Sequence, residues 1–185
     1  PLSQGSAINY PLIHYVALAE MLSKRGKQVL ITGTAKEGTL IGTAFDHIAG
    51  VENVCGKFSL GGLISLISKA HALIACSTGP LHIAGILDIK AIGLFSSRIP
   101  IHPGRWRPLG KHSIVMVKDP LCERCAKGLD CKCIEEIPVD EFFNLTELIE
   151  KVNLRGGNVG VFPVSEKSWR DIGNWDEYLK VIENV

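Results

Sequence analysis

The chain alternates between stretches in which apolar residues recur at helical spacing and short runs that are continuously apolar. From Pro11 to Arg25 apolar residues recur every three or four positions, which predicts an amphipathic helix with Pro11 in its first turn and Gly26 as its C-terminal cap. The run from Gln28 to Thr32 is short and apolar and ends at Gly33, which is typical of a buried strand. The first part of the chain therefore supplies a helix, a strand and a glycine turn in that order.

The same order recurs further along the chain. Ser59 can cap an amphipathic helix, and the apolar run Ala72–Cys76 follows it as a second strand. A helix from about Pro80 to Leu87 and strands at Ala91–Phe95 and Ile114–Val117 come next. This alternation predicts an α/β fold with a doubly wound, mainly parallel, Rossmann-like sheet. In such sheets ligands bind at the carboxyl ends of the strands.

A domain boundary is expected near residue 152. The apolar positions of Val139–Val152 fall on one helical face, and the following Asn153–Asn158 contains two adjacent glycines that favour a linker. The run Val159–Val164 is short and bounded by Gly and Pro, which disfavours a central strand. We expect a main domain over residues 1–152 and a small appendage over residues 153–185.

Composition restricts the classes of function. The 46% hydrophobic content of the 185 residues is enough for one buried core, and 20 Lys and Arg against 19 Asp and Glu create no overall field for nucleic acid or an anionic membrane. No apolar run approaches the roughly 20 residues of a transmembrane helix, and the start lacks the features of a signal peptide. We therefore expect a soluble, cytoplasmic protein that recognises anions locally. Its abrupt start at Pro1–Ser3 suggests a sequence cut between domains.

The most informative turn follows the strand at Ala72–Cys76. Ser77, Thr78 and Gly79 form a small polar turn, and Pro80 opens the next helix at a position where its missing N–H costs nothing. A helix start offers backbone N–H groups and a partial positive charge to phosphate oxygens, and His82 can add a donor from the first turn. The alternatives are that the turn merely caps a helix and that His82 is a buried packing residue.

A carboxylate follows the first strand at a comparable place. Thr32 and Gly33 end the strand and Glu37 comes four residues after the glycine, where doubly wound nucleotide sites often hold the ribose hydroxyls. The alternative is that Glu37 is a solvated residue at a helix start. The two turns together predict one cleft at the carboxyl edge of the sheet.

Four of the six cysteines lie within twelve residues, at Cys122, Cys125, Cys131 and Cys133. A CxxC pair followed by a CxC pair can surround a tetrahedral zinc ion, and a reducing compartment favours thiolate ligands over disulfides. Such a zinc would be structural, because four cysteines leave no open coordination position. The alternative is a surface loop with free or redox-labile thiols.

The motifs in combination resemble a known family. The run from Ser77 to Phe95, followed by Ile101–Gly110, is similar to the C-terminal donor-binding domain of glycosyltransferase family 9, the ADP-heptose:lipopolysaccharide heptosyltransferases. Gly5–Pro11 resembles the family's Gly-Ser-Ala-x-Asn-Trp-Pro segment, although Ile8 stands where the family often has a phosphate-contacting Lys. Many members also have Asp in place of Ser77. The resemblance covers about residues 1–152.

The resemblance implies a GT-B architecture, in which two Rossmann-like domains face each other and transfer requires no cofactor. It assigns the donor diphosphate and the nucleoside to two sets of residues. The diphosphate set is Ser77, Thr78, Gly79, Leu81, His82 and Ser6, and the nucleoside set is Thr32, Gly33 and Glu37. The acceptor and the catalytic base belong to the N-terminal domain of the family, so no catalytic residue is expected in this chain.

The function implied is that of the nucleotide-sugar-binding half of a glycosyltransferase. Such an enzyme moves heptose or a related sugar from an ADP-heptose-like donor to lipopolysaccharide or another envelope glycan, and in full length it would lie peripherally at the inner membrane. This half would be inactive without its N-terminal domain. An alternative is a stand-alone module that binds a nucleotide sugar without chemistry.

The tail carries a second resemblance. Gly157–Val164 and Ser168–Tyr178 are similar to the end of a sugar-phosphate nucleotidyltransferase, whose Trp-x-Asp-Ile-Gly segment helps to bind Mg²⁺. Matching position gives that role to Asp171, although the Gly-rich nucleotide loop of those enzymes is absent. The alternatives are a remnant of such an enzyme and a structural turn around Asp171.

Overall fold

The computed structural model describes residues 8–140, which form an α/β fold with parallel strands. Helices and strands alternate along most of the chain. The elements are α1 (Leu12–Lys24), β1 (Val29–Ile31), α2 (Ala35–Ile41), β2 (Val51–Asn53), α3 (Leu60–Ser68), β3 (Ala72–Cys76), α4 (Gly79–Ile86), β4 (Lys90–Leu94), α5 (Pro103–Trp106), β5 (Ser113–Met116) and α6 (Glu123–Ala126).

The strands form two sheets, of which one has two strands and the other has three. Strand β1 pairs with β2, and the second sheet has the order β3-β4-β5. Cys76 pairs with Leu94, and Leu94 with Met116, so the three strands of the larger sheet end at nearly the same level. The predicted parallel α/β class is confirmed. Over residues 8–140, however, β1 forms no backbone hydrogen bonds with the larger sheet. It is joined to that sheet by a shared apolar core.

Four regular elements, α2, β2 and the four-residue helices α5 and α6, escaped prediction because their sequence signals are local or weak. Helix α2 begins with a capping box, in which Thr34 and Glu37 exchange hydrogen bonds with each other's backbone N–H groups. Strand β2 has only three residues and carries the exposed Glu52 at its centre, so it lacks a continuous apolar run. Within residues 8–138, the predicted helices and strands agree with the structure to within a few residues at their ends.

Tyr10 is completely buried and ties three distant parts of the chain together. Its hydroxyl donates to the carbonyl oxygen of Ile137 at 2.6 Å, and its backbone N–H donates to the Cys76 sulfur at 3.3 Å. Its ring meets that of Tyr15 edge to face at a centroid distance of 5.3 Å. Burial raises the pKa of the Cys76 thiol, so this sulfur is a neutral core atom at physiological pH.

A close backbone approach fixes the segment after α5 onto α4. A Cβ atom on Gly85 would overlap the carbonyl oxygen of Leu109 and would lie 2.9 Å from the Cβ of Pro108. Gly110 has a φ of +134°, and a Cβ there would overlap the carbonyl oxygen of Gly85. Only glycine at both positions permits this contact.

Several predictions from sequence lie outside the described residues. The predicted helix Val139–Val152 beyond residue 140 and the linker and appendage after residue 152 are among them. So are Ser6, predicted to bind the diphosphate, and Asp171, predicted to bind Mg²⁺. Within residues 8–140, none of the helices has the length and apolar character needed to cross a membrane.

The contact at Gly85 leads to a stability prediction. Gly85→Ala should lower the free energy of unfolding by about 1–3 kcal/mol, because the new methyl group displaces the backbone of Leu109. Urea denaturation measures the change. Gly61 in α3 provides the matched control, since a Cβ there has no atom within 4 Å and Gly61→Ala should stabilise the helix by about 0.5–1 kcal/mol. Equal effects of the two substitutions would contradict the prediction.

Candidate functional site

The turn between β3 and α4 has the order of elements that the sequence predicts. Strand β3 ends at Cys76, Thr78 is the N-cap, and the helix begins at Gly79 with Pro80 in its first turn. The Thr78 hydroxyl donates to the carbonyl oxygen of Cys76 at 3.2 Å, which closes the turn. In this arrangement the Thr78 hydroxyl can accept a hydrogen bond from a ligand but its proton is already used.

The helix start leaves two donors for a ligand. The N–H groups of Leu81 and His82 donate to the carbonyl oxygen of Thr78 at 3.0 and 3.4 Å. Within residues 8–140, neither the Gly79 N–H nor the Ser77 hydroxyl has a hydrogen-bond partner. A Cβ on Gly79 would have no atom within 4 Å, so this amide borders open space. Together with the dipole of α4, it can bind an anion.

Leu81 and His82 differ in burial and in their neighbours. The Leu81 side chain is 0% exposed and packs in an apolar cluster with Phe95 and Ala91, so it anchors the helix from beneath. The His82 side chain is half-buried, and its ring lies 6.1 Å from the Trp106 ring at an angle of 59°. His82 therefore lies against a neighbouring aromatic side chain and keeps part of its surface open to solvent.

Helix α5 carries Trp106, whose ring lies near His82, and the neighbouring Arg105. His102 is the N-cap residue of this short helix, and Pro103 lies in its first turn. The Arg105 guanidinium carbon lies 5.5 Å from the centre of the Trp106 ring, within the range of a cation–π interaction. Trp106 is therefore the neighbour that Arg105 and His82 share. Arg105 is not among the site residues predicted from the sequence, because local spacing does not show that this segment folds against α4.

A shallow depression lies beside the turn, at the carboxyl ends of β3 and β4. Its empty volume is about 180 Å³, part of which is open to solvent. Its walls come from five separate stretches of the chain, with Ile8, Ser77, Leu94, Phe95, Ser96, Ile101 and Ile134 as the lining residues. The part that is enclosed by protein is far below the roughly 300–1,000 Å³ of typical small-molecule pockets. The depression is therefore too small to enclose a nucleotide sugar by itself.

Ser96 is a buried polar residue of this wall that sequence reasoning missed. Its side-chain oxygen accepts a hydrogen bond from the Arg98 N–H at 3.2 Å and lies 3.5 Å from the Cys125 sulfur. The signal in the sequence was a serine directly after an apolar strand, at the edge where parallel sheets bind ligands.

Glu37 stabilises the start of α2. One of its carboxylate oxygens accepts from the Thr34 N–H at 2.7 Å and from the Thr34 hydroxyl at 2.8 Å, while the Glu37 N–H donates to the Thr34 hydroxyl oxygen at 3.2 Å. The residue is 9% exposed, so it is buried and not solvated. Gly33 lies against it, since a Cβ there would be 3.1 Å from a Glu37 carboxylate oxygen. Thr32 is half-buried at the end of β1.

The two predicted halves of the site follow strands of different sheets. Glu37 comes after β1 in the smaller sheet, and Ser77 comes after β3 in the larger one. Contact of one ligand with both remains a prediction. The structure brings together a different set around Ser77, which joins Ser96 and Ile134 in the depression.

The four clustered cysteines converge in space. Their sulfur atoms all lie within 4.8 Å of one another, and all four thiols are free. Cys125 and Cys133 are buried, whereas Cys122 and Cys131 are half-buried. A hydrogen bond from the Cys125 N–H lowers the pKa of Cys122 to about 7, and burial raises the pKa of Cys125 and Cys133. These residues could hold a metal ion.

Comparison with known proteins gives the same family for sequence and fold. The model of "Glycosyltransferase family 9 (heptosyltransferase)" matches residues 1–135. Lipopolysaccharide heptosyltransferase 1 of Pseudomonas aeruginosa is 31% identical over 122 residues, which cover 64% of this chain and 33% of that protein. Lipopolysaccharide heptosyltransferase 2 of Escherichia coli is 30% identical over 101 residues, covering 52% of this chain and 29% of that protein. The chain thus spans about a third of the length of these relatives.

Solved structures show the same fold. E. coli ADP-heptose lipopolysaccharide heptosyltransferase II aligns with a TM-score of 0.64 and 24% identity, over 82% of this chain and 46% of the other. An E. coli heptosyltransferase solved with ADP aligns with a TM-score of 0.65 and 19% identity, over 80% of this chain and 42% of the other. The structural neighbours have the GT-B architecture. The match of the family model to most of the chain shows that the protein belongs to glycosyltransferase family 9, the heptosyltransferase family.

Proposed function

We propose that this chain binds the donor of a heptosyltransferase reaction, an ADP-heptose-like nucleotide sugar, through the turn between β3 and α4. The supporting observation is the helix start, where the Gly79 N–H and the Ser77 hydroxyl lack partners within residues 8–140 and border open space. A diphosphate supplies the acceptor atoms that these donors lack. One structural neighbour was solved with ADP and another with an ADP-linked fluoroheptose, which supports this class of ligand.

The groups around the turn suit the chemistry of the leaving group. In the transfer, the acceptor oxygen forms a bond to the anomeric carbon, the bond from that carbon to the diphosphate breaks, and the acceptor proton goes to a base. Negative charge then develops on the departing diphosphate. Preorganised donors at that point lower the barrier. We infer that the Gly79 amide, the His82 ring and the Arg105 guanidinium, which stacks on Trp106 beside His82, serve this purpose.

The depression beside the turn supports a divided site. It is partly open to solvent, and the volume that it encloses is less than a nucleotide sugar needs. We infer that a facing domain of the GT-B architecture supplies the rest of the cleft, together with the base and the lipopolysaccharide acceptor. On this view residues 1–152 bind the donor but do not perform transfer alone.

A binding and transfer assay tests this proposal. The 185-residue chain should bind ADP in isothermal titration calorimetry but should not release ADP from ADP-heptose in the presence of a lipopolysaccharide-core acceptor, because this proposal assigns the base to the facing domain. Transfer by the chain alone would contradict the divided site. Failure to bind ADP would contradict the donor role itself.

His82 should contribute directly to this affinity. His82→Ala should weaken binding of both ADP and inorganic pyrophosphate by roughly ten- to a hundredfold, since one donor to an anion contributes about 1.5–3 kcal/mol. The melting temperature should change little because the side chain is only half-buried. His112→Ala is the matched control, because His112 is exposed and faces Asp88. Unchanged affinity with a large fall in melting temperature would mean that His82 only supports the core.

Glu37 can be tested separately from its capping role. If its carboxylate accepts hydrogen bonds from the ribose, Glu37→Gln should weaken ADP binding by about tenfold and leave pyrophosphate binding unchanged. Thr34→Ala disrupts the same capping box, so it should cost about 1 kcal/mol of stability without this loss of affinity. Equal effects of both variants on ADP affinity would show that Glu37 acts through the helix and does not contact the nucleoside.

A further inference from the structure

The segment that carries the clustered cysteines is held by few apolar contacts. From Lys118 to Lys132 the only buried residue is Cys125, while Leu121 and Leu129 are 76% and 48% exposed. A segment with so little buried apolar surface needs another source of stabilisation, such as a metal ion or a covalent crosslink. The residues that converge at its centre are the four cysteines.

The sulfur atoms have nearly the spacing of a single coordination sphere. The Sγ atom of Cys133 lies 3.1 Å from that of Cys122, 3.9 Å from that of Cys125 and 2.8 Å from that of Cys131. The sulfurs of Cys122 and Cys131 are 3.4 Å apart. With Zn–S bonds of about 2.3 Å, a tetrahedron of thiolates has edges of about 3.8 Å. These four separations run from 2.8 to 3.9 Å and all pairs lie within 4.8 Å, a range that includes this edge length.

The backbone holds the two cysteine pairs in place. The Ala126 N–H donates to the Cys122 carbonyl oxygen at 3.0 Å, and Gly128 turns the chain with a φ of +67°. The Arg124 side chain then donates twice to the Asp130 carbonyl oxygen, at 3.1 and 2.7 Å. This clamp brings the second pair back over the first, independently of the sulfurs.

The chemistry of four thiolates selects the ion. Soft sulfur ligands in a tetrahedral set favour zinc or iron, and sulfurs that all lie within 4.8 Å of one another fit one ion better than a two-iron cluster, which spreads its ligands over two metals. Disulfide bonding is a poorer description, since one sulfur lies within 4 Å of three others and an S–S bond is about 2.05 Å long. Four ligands also leave no position for a substrate.

We propose that Cys122, Cys125, Cys131 and Cys133 bind one structural Zn²⁺ ion, which fixes this segment against the wall of the depression beside β4. The connection is direct on both sides of the cluster. The Cys125 sulfur lies 3.5 Å from the Ser96 oxygen, and Ile134, which follows Cys133, lines the same depression as Ser96 and Ser77. The ion therefore shapes the candidate donor site without taking part in the chemistry, and its presence does not depend on the donor proposal.

Metal analysis of the wild-type chain is the first test. Protein purified under reducing conditions without added metal should contain one zinc ion per chain, as measured by inductively coupled plasma mass spectrometry. Replacement by Co²⁺ should give the intense visible absorption of a tetrahedral cobalt–thiolate centre. Absence of metal, together with free titration of the thiols of Cys122, Cys125, Cys131 and Cys133 in the folded protein, would overturn the proposal. One iron per chain in place of zinc would overturn the identity of the ion.

Two variants separate the cluster from the other cysteines. Cys131→Ser should lose most of the bound zinc, because a hydroxyl is a much weaker ligand than a thiolate. Cys55→Ser is the matched control, since Cys55 is half-buried near Ile31 and outside the cluster, and it should keep a full equivalent of zinc. Equal zinc content in both variants would overturn the ligand assignment.

Hydrogen exchange covers the case in which the cluster variant does not fold. Removal of zinc from the wild type with a chelator should increase amide exchange in residues 94–98 and 131–137, which surround Ser96 and Cys133, and leave α1 unchanged. If the chelator removes the zinc and the amide exchange rates of these residues do not change, the ion does not stabilise this wall of the depression.

Discussion

The described structure depends on the burial of Tyr10. Its hydroxyl and backbone N–H bond to partners 127 and 66 residues further along the chain, at Ile137 and Cys76. A phenol inside an apolar core is stable only if its hydroxyl has a partner, so the ring and the Ile137 carbonyl must be placed together. Because Cys76 ends β3, its hydrogen bond with Tyr10 also fixes the start of the turn between β3 and α4.

The turn is then supported from below and from the side. Leu81 buries its side chain beneath α4, and the contact of Gly85 with Leu109 holds the segment after α5 against the same helix. The second contact brings Trp106 to His82, and Arg105 with it. Trp106, with the Arg105 guanidinium over its ring, thus lies beside the first turn of α4.

The cysteine segment supports the opposite side of the depression. Ser96 connects the end of β4 to Cys125, and Ile134 follows Cys133 into the same wall. An ion at the thiols would replace the apolar core that this segment lacks. Stability and the shape of the candidate donor site would then depend on the same four side chains.

The sequence alone determined the features that arise from local spacing and from combinations of nearby residues. Apolar periodicity predicted α1 and β3, the strand–turn–helix order located Ser77 to His82, and the motifs in combination identified the family. The capping box of Thr34 and Glu37 is also a local signal, since it needs only a threonine three residues before a glutamate.

Only the tertiary structure decided which distant segments meet. Nothing near Trp106 in sequence indicates His82, and nothing near Ser96 indicates Cys125, because those contacts depend on how loops fold back onto the sheet. The tertiary structure also showed that Glu37 is buried in a capping box and that the strands form two sheets joined by a core. Local patterns specify elements through short-range hydrogen bonds and periodicity, whereas contacts between distant segments follow from packing of the whole core.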